Sequence, residues 1–220
     1  LHMTLAAYAA TGFAVAGIHA WMLRRAPHAT FHRTALGIAL LVAVPASLLQ
    51  PLAGDISAKA VARLQPAKLA AMEGQCTTER GAPLRIGGWP DEEAQVTRWA
   101  IEIPKALSIL AFADPNAEVQ GLDRVPRSDW PPVAIVHVAF QVMVALGTYM
   151  ALVALWVLWC RWRRQEFALQ PRLLGAIVLA APMGFIATEA GWVVTEVGRQ
   201  PWVVQGVLRT ADAVTPMPGL

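Results

Sequence analysis

Residues 187–202 read ATEAGWVVTEVGRQPW. They follow a stretch, 173–188, with no Lys, Arg, Asp or Glu, and yet they carry two carboxylates, Glu189 and Glu196. An ionised carboxylate in apolar surroundings is costly unless an opposite charge meets it. Three chemistries fit Glu189: a proton relay, ligation of a metal or heme iron, or an ion pair with a neighbouring helix. Glu196 lies seven residues on, which keeps it on the same helical face. Arg199, three residues further, offers Glu196 a structural partner.

Other residues invite the same question. His2 opens the first apolar run, and Met143 lies well inside the third. A neutral imidazole and a thioether can be the two axial ligands of one heme iron. A lone Met in an apolar helix also packs, and a terminal His is often idle. Lys68 and Glu73 occur in AKLAAMEG, five residues apart, which is not the spacing of a helical salt bridge. They flank a common ligand only if the helix bends or both reach from one edge; on residues alone a surface role is the plainer reading. His19 reads as an interfacial residue, and His137, six residues before Met143, is off the Met143 face.

The elements that must position these groups are membrane helices. Of 220 residues 56% are hydrophobic and 15% charged, against about 25% charged in a soluble domain. Residues 1–23, 34–54, 130–160 and 173–188 hold no Lys, Arg, Asp or Glu. Runs of about 20 apolar residues match a bilayer core. The spacing predicts spans over roughly 1–23, 34–53, 131–160 and 173–195. The fold class is therefore all-α, an integral membrane helical bundle with four transmembrane helices and one long loop. Pro45 and Pro51 fall inside or at the end of the second span. Trp156, Trp159 and Trp162 with Arg161, Arg163 and Arg164 suit the interface at the end of the third.

Charge orients the spans. The short segments 24–33 (Arg24, Arg25, Arg33) and 161–172 (Arg161, Arg163, Arg164, Arg172 against Glu166) are basic, while 55–129 has nine basic residues against eleven acids. Short Arg-rich loops stay in the cytoplasm. The domain reading follows: 1–53, two spans with cytoplasmic loop 24–33; 54–130, an extracytoplasmic loop; 131–195, two spans with cytoplasmic loop 161–172; 196–220, an extracytoplasmic segment leading to a further helix. The basic clusters set topology and need no nucleic acid. Within the loop, 56–74 reads as one or two short helices broken at Pro66, 85–95 as turn-rich, and 96–112 as a mixed stretch interrupted at Pro104. The loop is too apolar for disorder, so a folded, membrane-lying loop with amphipathic pieces is expected. Cys76 and Cys160 fall on opposite sides of this topology and cannot pair. The chain opens on Leu1 inside an apolar run and reads as a piece of a longer protein.

The pieces LHMTLAAYAATGFAVAGIHAW, KLAAMEG, WAIEIPKALS, FQVMVALG and EAGWVVTEVGRQPW occur in this order over nearly the whole chain. In them the chain resembles subunit I of the cytochrome bd-type quinol oxidases. GRQPW after EAGW, and KLAAMEG before WAIEIPKALS, carry the resemblance most specifically. It implies a terminal oxidase that oxidises membrane quinol, reduces oxygen to water and releases the quinol protons outside. It implies a low-spin heme b on His2 and Met143 and a high-spin heme b on Glu189. A third heme, of d or b type, is ligated outside this chain. Lys68 and Glu73 match the family's quinol-binding pair: Glu73 accepts a hydroxyl proton and Lys68 orients the oxygen. Arg199 and Trp202 shape the heme or quinol neighbourhood, the Arg fork suiting a propionate. Implied partners are subunit II, a small accessory subunit, ubiquinol or menaquinol, oxygen and the lipid of a bacterial inner membrane.

Two departures stand out. Many members carry Arg two residues before the ligand Met, where this chain has Gln141; a fixed positive charge is then missing beside the low-spin heme. The loop is short, as in the cyanide-insensitive branch. Residues alone leave three rivals: a b-type membrane cytochrome without oxygen chemistry, a proton-coupled transporter using Glu189 and Glu196, and a structural membrane subunit. Heme separates the first from the other two.

Overall fold

A computed structural model describes residues 1–166 and 170–214. The expected loop 161–172 and tail 196–220 therefore lie partly outside the described residues. Four helical stretches are long and apolar enough to cross a membrane: α1 (His2–Arg25), α2 (Thr30–Leu64), α5 (Val133–Trp162) and Pro171–Glu196, which comprises α6 (Pro171–Ala180) and α7 (Met183–Glu196). Between them lie α3 (Pro66–Glu73), α4 (Ala106–Phe112) and six short strands, and two more strands follow α7. The mostly helical class and the four spans are as expected from sequence; the strands are not, since two- and three-residue strands are too short to show alternation.

The chain divides into two compact units. The first, Leu1–Asp55 with Val142–Ala190, is a helix bundle. Its core is Phe13, Leu23, Leu36, Leu173 and Ile177, all fully buried, with Val153, Ala154 and Cys160 from α5. Small residues let backbones approach, as membrane helices require when apolar burial alone cannot drive association. A Cβ on Gly17 would meet Ala181 Cβ at 2.4 Å, and one on Gly184 would meet Ala10 Cα at 2.4 Å. Thus α1 packs along α6 and the start of α7. Pro45 and Pro51 both sit inside α2, as bilayer helices tolerate.

The second unit, Ile56–Gln141 with 191–220, contains the loop. Helix α2 does not stop near 53 but runs to Leu64, because ISAKAVARL is rich in Ala, Lys, Arg and Leu and holds no Gly or Pro. It ends where expected: Gln65 precedes Pro66, takes φ −141° and ψ 64°, and Pro66 starts α3 without needing a donor. Gly74, at φ 62°, closes α3 in the left-handed conformation. Strand β2 (Leu84–Ile86) pairs antiparallel with β5 (Ile101–Ile103), and β3 (Trp89–Asp91) with β4 (Val96–Arg98). Asp91 stabilises the β3–β4 turn by accepting the Glu93 and Ala94 N–H groups and pairing with Arg98. β1 (Glu79–Arg80) pairs with β6 (Glu118–Val119), and β7 (Trp202–Val204) with β8 (Leu208–Arg209). A cluster of Ala70, Ala71, Met72, Leu122, Val133, Val136 and Val194 fixes α3 against the start of α5 and the end of α7. Cys76 and Cys160 are both free and buried.

Candidate functional site

In the helix bundle, His2 rests on α2. The Gln50 amide nitrogen donates to His2 Nε2 at 3.2 Å. A Cβ on Gly54 would sit 3.5 Å from the imidazole, so glycine there leaves the ring room. His2 Nδ1 and Gln50 Oε1 are buried without a hydrogen-bond partner. Met143 is half-buried and joins none of the buried apolar clusters among the described residues, so its thioether is not committed to core packing. Glu189 is exposed on α7 and has no hydrogen bond or ion pair among the described residues. His19, expected as an interfacial residue, is half-buried, its Nδ1 2.9 Å from His32 Nδ1.

In the loop unit the pair Lys68 and Glu73 is pulled apart by α3. Five residues turn a helix by about 140°, so the two side chains leave different faces. Lys68 reaches the end of α7, its Nζ 3.4 Å from the Thr195 carbonyl oxygen. Burial, and then the Arg199 guanidinium, hold its ammonium below the usual lysine range, with Glu196 opposing. Arg199 forms an ion pair with Glu196, one of the roles open to Glu196 from sequence. Arg199 Nε is buried without a partner. Trp202 follows on β7: its N–H donates to the Arg199 carbonyl at 3.1 Å, and Arg209 lies 4.7 Å over its ring. So the structure gathers Lys68, Glu196, Arg199 and Trp202.

Glu73 points elsewhere, into a polar nest. It is 6% exposed, and its Oε2 has no partner. Burial pushes its carboxyl up to about 7, against the pull of Arg85. The Arg85 side chain bonds Gln75 and pairs with Glu102 at 3.0 Å and Glu79 at 3.5 Å. Gln141 holds the backbone beneath: its Nε2 donates to the Arg85 carbonyl at 2.9 Å, and its Oε1 accepts the Gly87 N–H at 3.1 Å. Fully buried His137 bonds the Met72 carbonyl at 2.9 Å and the Gly87 carbonyl at 3.1 Å.

Sequence reasoning passed over Arg85 and His137. His137 carried one signal, an imidazole at the start of a span with no charged residue. Arg85 carried none, because its meaning depends on partners distant in sequence.

A buried polar atom without a partner is uncommon. Among the described residues there are four: His2 Nδ1, Gln50 Oε1, Glu73 Oε2 and Arg199 Nε. Three belong to residues singled out from sequence, and the fourth belongs to the Gln that touches His2. No group of three or more His, Cys, Asp or Glu side chains that could enclose a bare metal ion occurs among the described residues.

Known proteins resemble the chain over nearly its whole length. The family model described as cytochrome bd terminal oxidase subunit I matches residues 1–219. A Bacillus subtilis protein named "Putative cytochrome bd menaquinol oxidase subunit I" is 39% identical over 97% of this chain and 49% of its own length. A second from the same organism, a cytochrome bd ubiquinol oxidase subunit 1, is 31% identical over 98% of this chain and 48% of its own. The solved bd oxidase of Geobacillus thermodenitrificans matches at a TM-score of 0.86 and 37% identity, over 99% of this chain and 50% of that one. The chain thus spans about half the length of the relatives it matches. With family match and fold in agreement, the chain belongs to the cytochrome bd terminal oxidase subunit I family.

Proposed function

We propose that this chain is the quinol-oxidising, heme b-holding part of a membrane terminal oxidase that reduces oxygen to water. The observation that carries the reading is the coincidence of orphaned buried polar atoms with His2, Glu73 and Arg199. Buried polar atoms are nearly always met by protein, water or a ligand, and a bound ligand would meet these.

His2 and Met143 would hold a low-spin heme b, with the Gln50 amide beside the imidazole helping to set its orientation. Glu189, exposed on its apolar helix, would hold a high-spin heme b. Arg199, with a free Nε beside its Glu196 pair, suits a propionate, and Trp202 walls the same neighbourhood. When bound, the hemes supply the one-electron chemistry that side chains lack. At the outer loop Glu73 takes the proton of the quinol hydroxyl, and its carboxyl, poised near 7, suits a general base. Lys68 orients a quinol oxygen from the α7 side of α3. The protons leave on the extracytoplasmic side and so add to the membrane gradient. Ubiquinol or menaquinol is the donor. Subunit II, a small accessory subunit and a third heme of d or b type outside this chain complete the enzyme in a bacterial inner membrane.

The test uses the complete subunit with its partner subunit in membranes, comparing dithionite-reduced minus oxidised spectra of wild type and Met143→Leu. The low-spin b bands should vanish in the variant while the high-spin bands stay. An unchanged spectrum removes Met143 as a ligand. Absence of heme in the wild type overturns the oxidase and leaves a proton-coupled transporter.

A further inference from the structure

The mechanism above makes no use of His137, yet among the described residues it is the most deeply buried ionisable group of the loop unit. At 0% exposed, it has both ring nitrogens within bonding distance of backbone carbonyls. One belongs to Met72, the residue before Glu73, and the other to Gly87 at the β2–β3 turn. The Met72 carbonyl is in the last turn of α3, where carbonyls lack helical donors. The N–H groups of Gly74 and Gln75 go instead to Ala70 and Ala71. So His137, from the first turns of α5, caps the end of the helix that carries Glu73.

The fit is close on every side. A Cβ on Gly74 would meet the His137 ring at 3.4 Å and Thr97 Oγ1 at 2.5 Å. Thr97 donates to the Gly74 carbonyl at 2.8 Å. Four residues on from His137, Gln141 ties the same β2–β3 segment. The charged groups about this nest are Glu73 from α3 and Arg85 from β2, and Arg85 is anchored by Gln75, Glu79 and Glu102. A carbonyl oxygen only accepts, so an imidazole N–H supplies the donor at this contact, with the Met72 carbonyl oxygen at 2.9 Å and the Gly87 carbonyl oxygen at 3.1 Å from the two ring nitrogens.

We infer that His137 is a positioning residue for quinol oxidation: by clamping the Met72 and Gly87 carbonyls it holds the Glu73 carboxyl buried and presents it to the quinol hydroxyl. The inference rests on the reading of Glu73 as the proton acceptor. It concerns a different question, namely what keeps that carboxyl in its environment.

The experiment uses the complete subunit assembled with its partner in membranes, with heme content measured first by difference spectra. Quinol oxidation is then followed against pH for wild type, His137→Ala, His137→Gln and Glu73→Gln. Releasing the end of α3 lets water reach Glu73. The acid limb of kcat/KM in His137→Ala should then move down by about one pH unit or more, with kcat about tenfold lower and quinol KM within about threefold of wild type. His137→Gln keeps one amide donor, so it should fall between wild type and His137→Ala, and it carries the test if the Ala variant loses heme. Loss of the acid limb in Glu73→Gln, with an unmoved limb and wild-type kcat in both His137 variants, overturns this inference alone. Persistence of the limb in Glu73→Gln overturns the Glu73 reading itself. A residue with only a general structural role would lower heme content and rate without moving the limb.

Discussion

Gln141 grips Arg85 by its backbone: the Gln141 amide donates to the Arg85 carbonyl at 2.9 Å and accepts from the Gly87 N–H at 3.1 Å. Two residues before Met143, it ties the loop strand β2 to the helix that would carry a heme ligand. Only a side chain with both a donor and an acceptor can make this bridge. Arg at 141, the residue many relatives are expected to have, could donate to the carbonyl but would leave the Gly87 N–H unmet.

Gln141→Ala should therefore lower stability by about 2 kcal/mol, since two half-buried backbone groups lose partners. It should also weaken quinol binding while leaving the low-spin heme bands in place. Denaturation of the assembled enzyme, followed by heme absorbance, together with the quinol KM, checks both. A wild-type denaturation midpoint would show the bridge contributes nothing.

Arg85 draws the Glu73 carboxyl down while burial drives it up to about 7. Arg85→Met removes the opposing charge, so the acid limb of quinol oxidation should move to higher pH. Glu73 must be deprotonated to accept a proton, and activity is lost as pH falls through its folded value. Arg85→Lys should restore part of the shift. A limb that moves to lower pH would contradict the assignment.

Stability should carry the same signature with a definite sign. Between the ordinary carboxyl value of 4.5 and about 7 the folded Glu73 keeps a proton that the unfolded chain releases. The folded state then binds more protons, so stability falls as pH rises across that window. Glu73→Gln should flatten this part of the stability profile, measured as melting temperature from pH 5 to pH 8. A slope equal to wild type would place the carboxyl in water instead.

Glu189 and Glu196 share a helical face but not an environment: Glu189 is exposed and unpaired among the described residues, and Glu196 pairs with Arg199. Glu189→Gln should remove the high-spin heme b bands, whereas Glu196→Gln should retain them and release Arg199. The opposite result, with the bands lost only in Glu196→Gln, would transfer the ligand role to Glu196.

Gly184 meets Ala10 so closely that a Cβ would lie 2.4 Å from its Cα. Gly184→Ala should push α7 from α1 and lower stability by about 1–3 kcal/mol. Gly147 has nothing within 4 Å of a Cβ, and Gly147→Ala should be neutral or stabilise its helix by up to about 1 kcal/mol. Heme-loaded complex recovered after mild heating distinguishes the two.

The spans were legible in the sequence because what makes them is local. Chargeless runs of bilayer length need no knowledge of neighbours, and the break at Pro66 follows from a missing N–H and a ring clash. The break between α6 and α7 at 181–182 was not foreseen, although Pro182 stands there, because apolar content hid it. His2, Met143 and Glu189 were also visible as polar or soft groups in apolar runs, whereas Lys68, Glu73 and Trp202 took their roles only from the family resemblance and Arg199 read first as a partner for Glu196. What the sequence could not reveal was the company they keep. The bonds from His137 to Met72 and Gly87 span 65 and 50 residues, and that from Gln141 to Arg85 spans 56. Strands of two or three residues carry no period of their own, so register and partner come only from packing the loop on the start of α5 and the end of α7. Tertiary structure alone decided that Lys68 faces Arg199 while Glu73 faces Arg85, because a five-residue step on a helix sends two side chains to different neighbours.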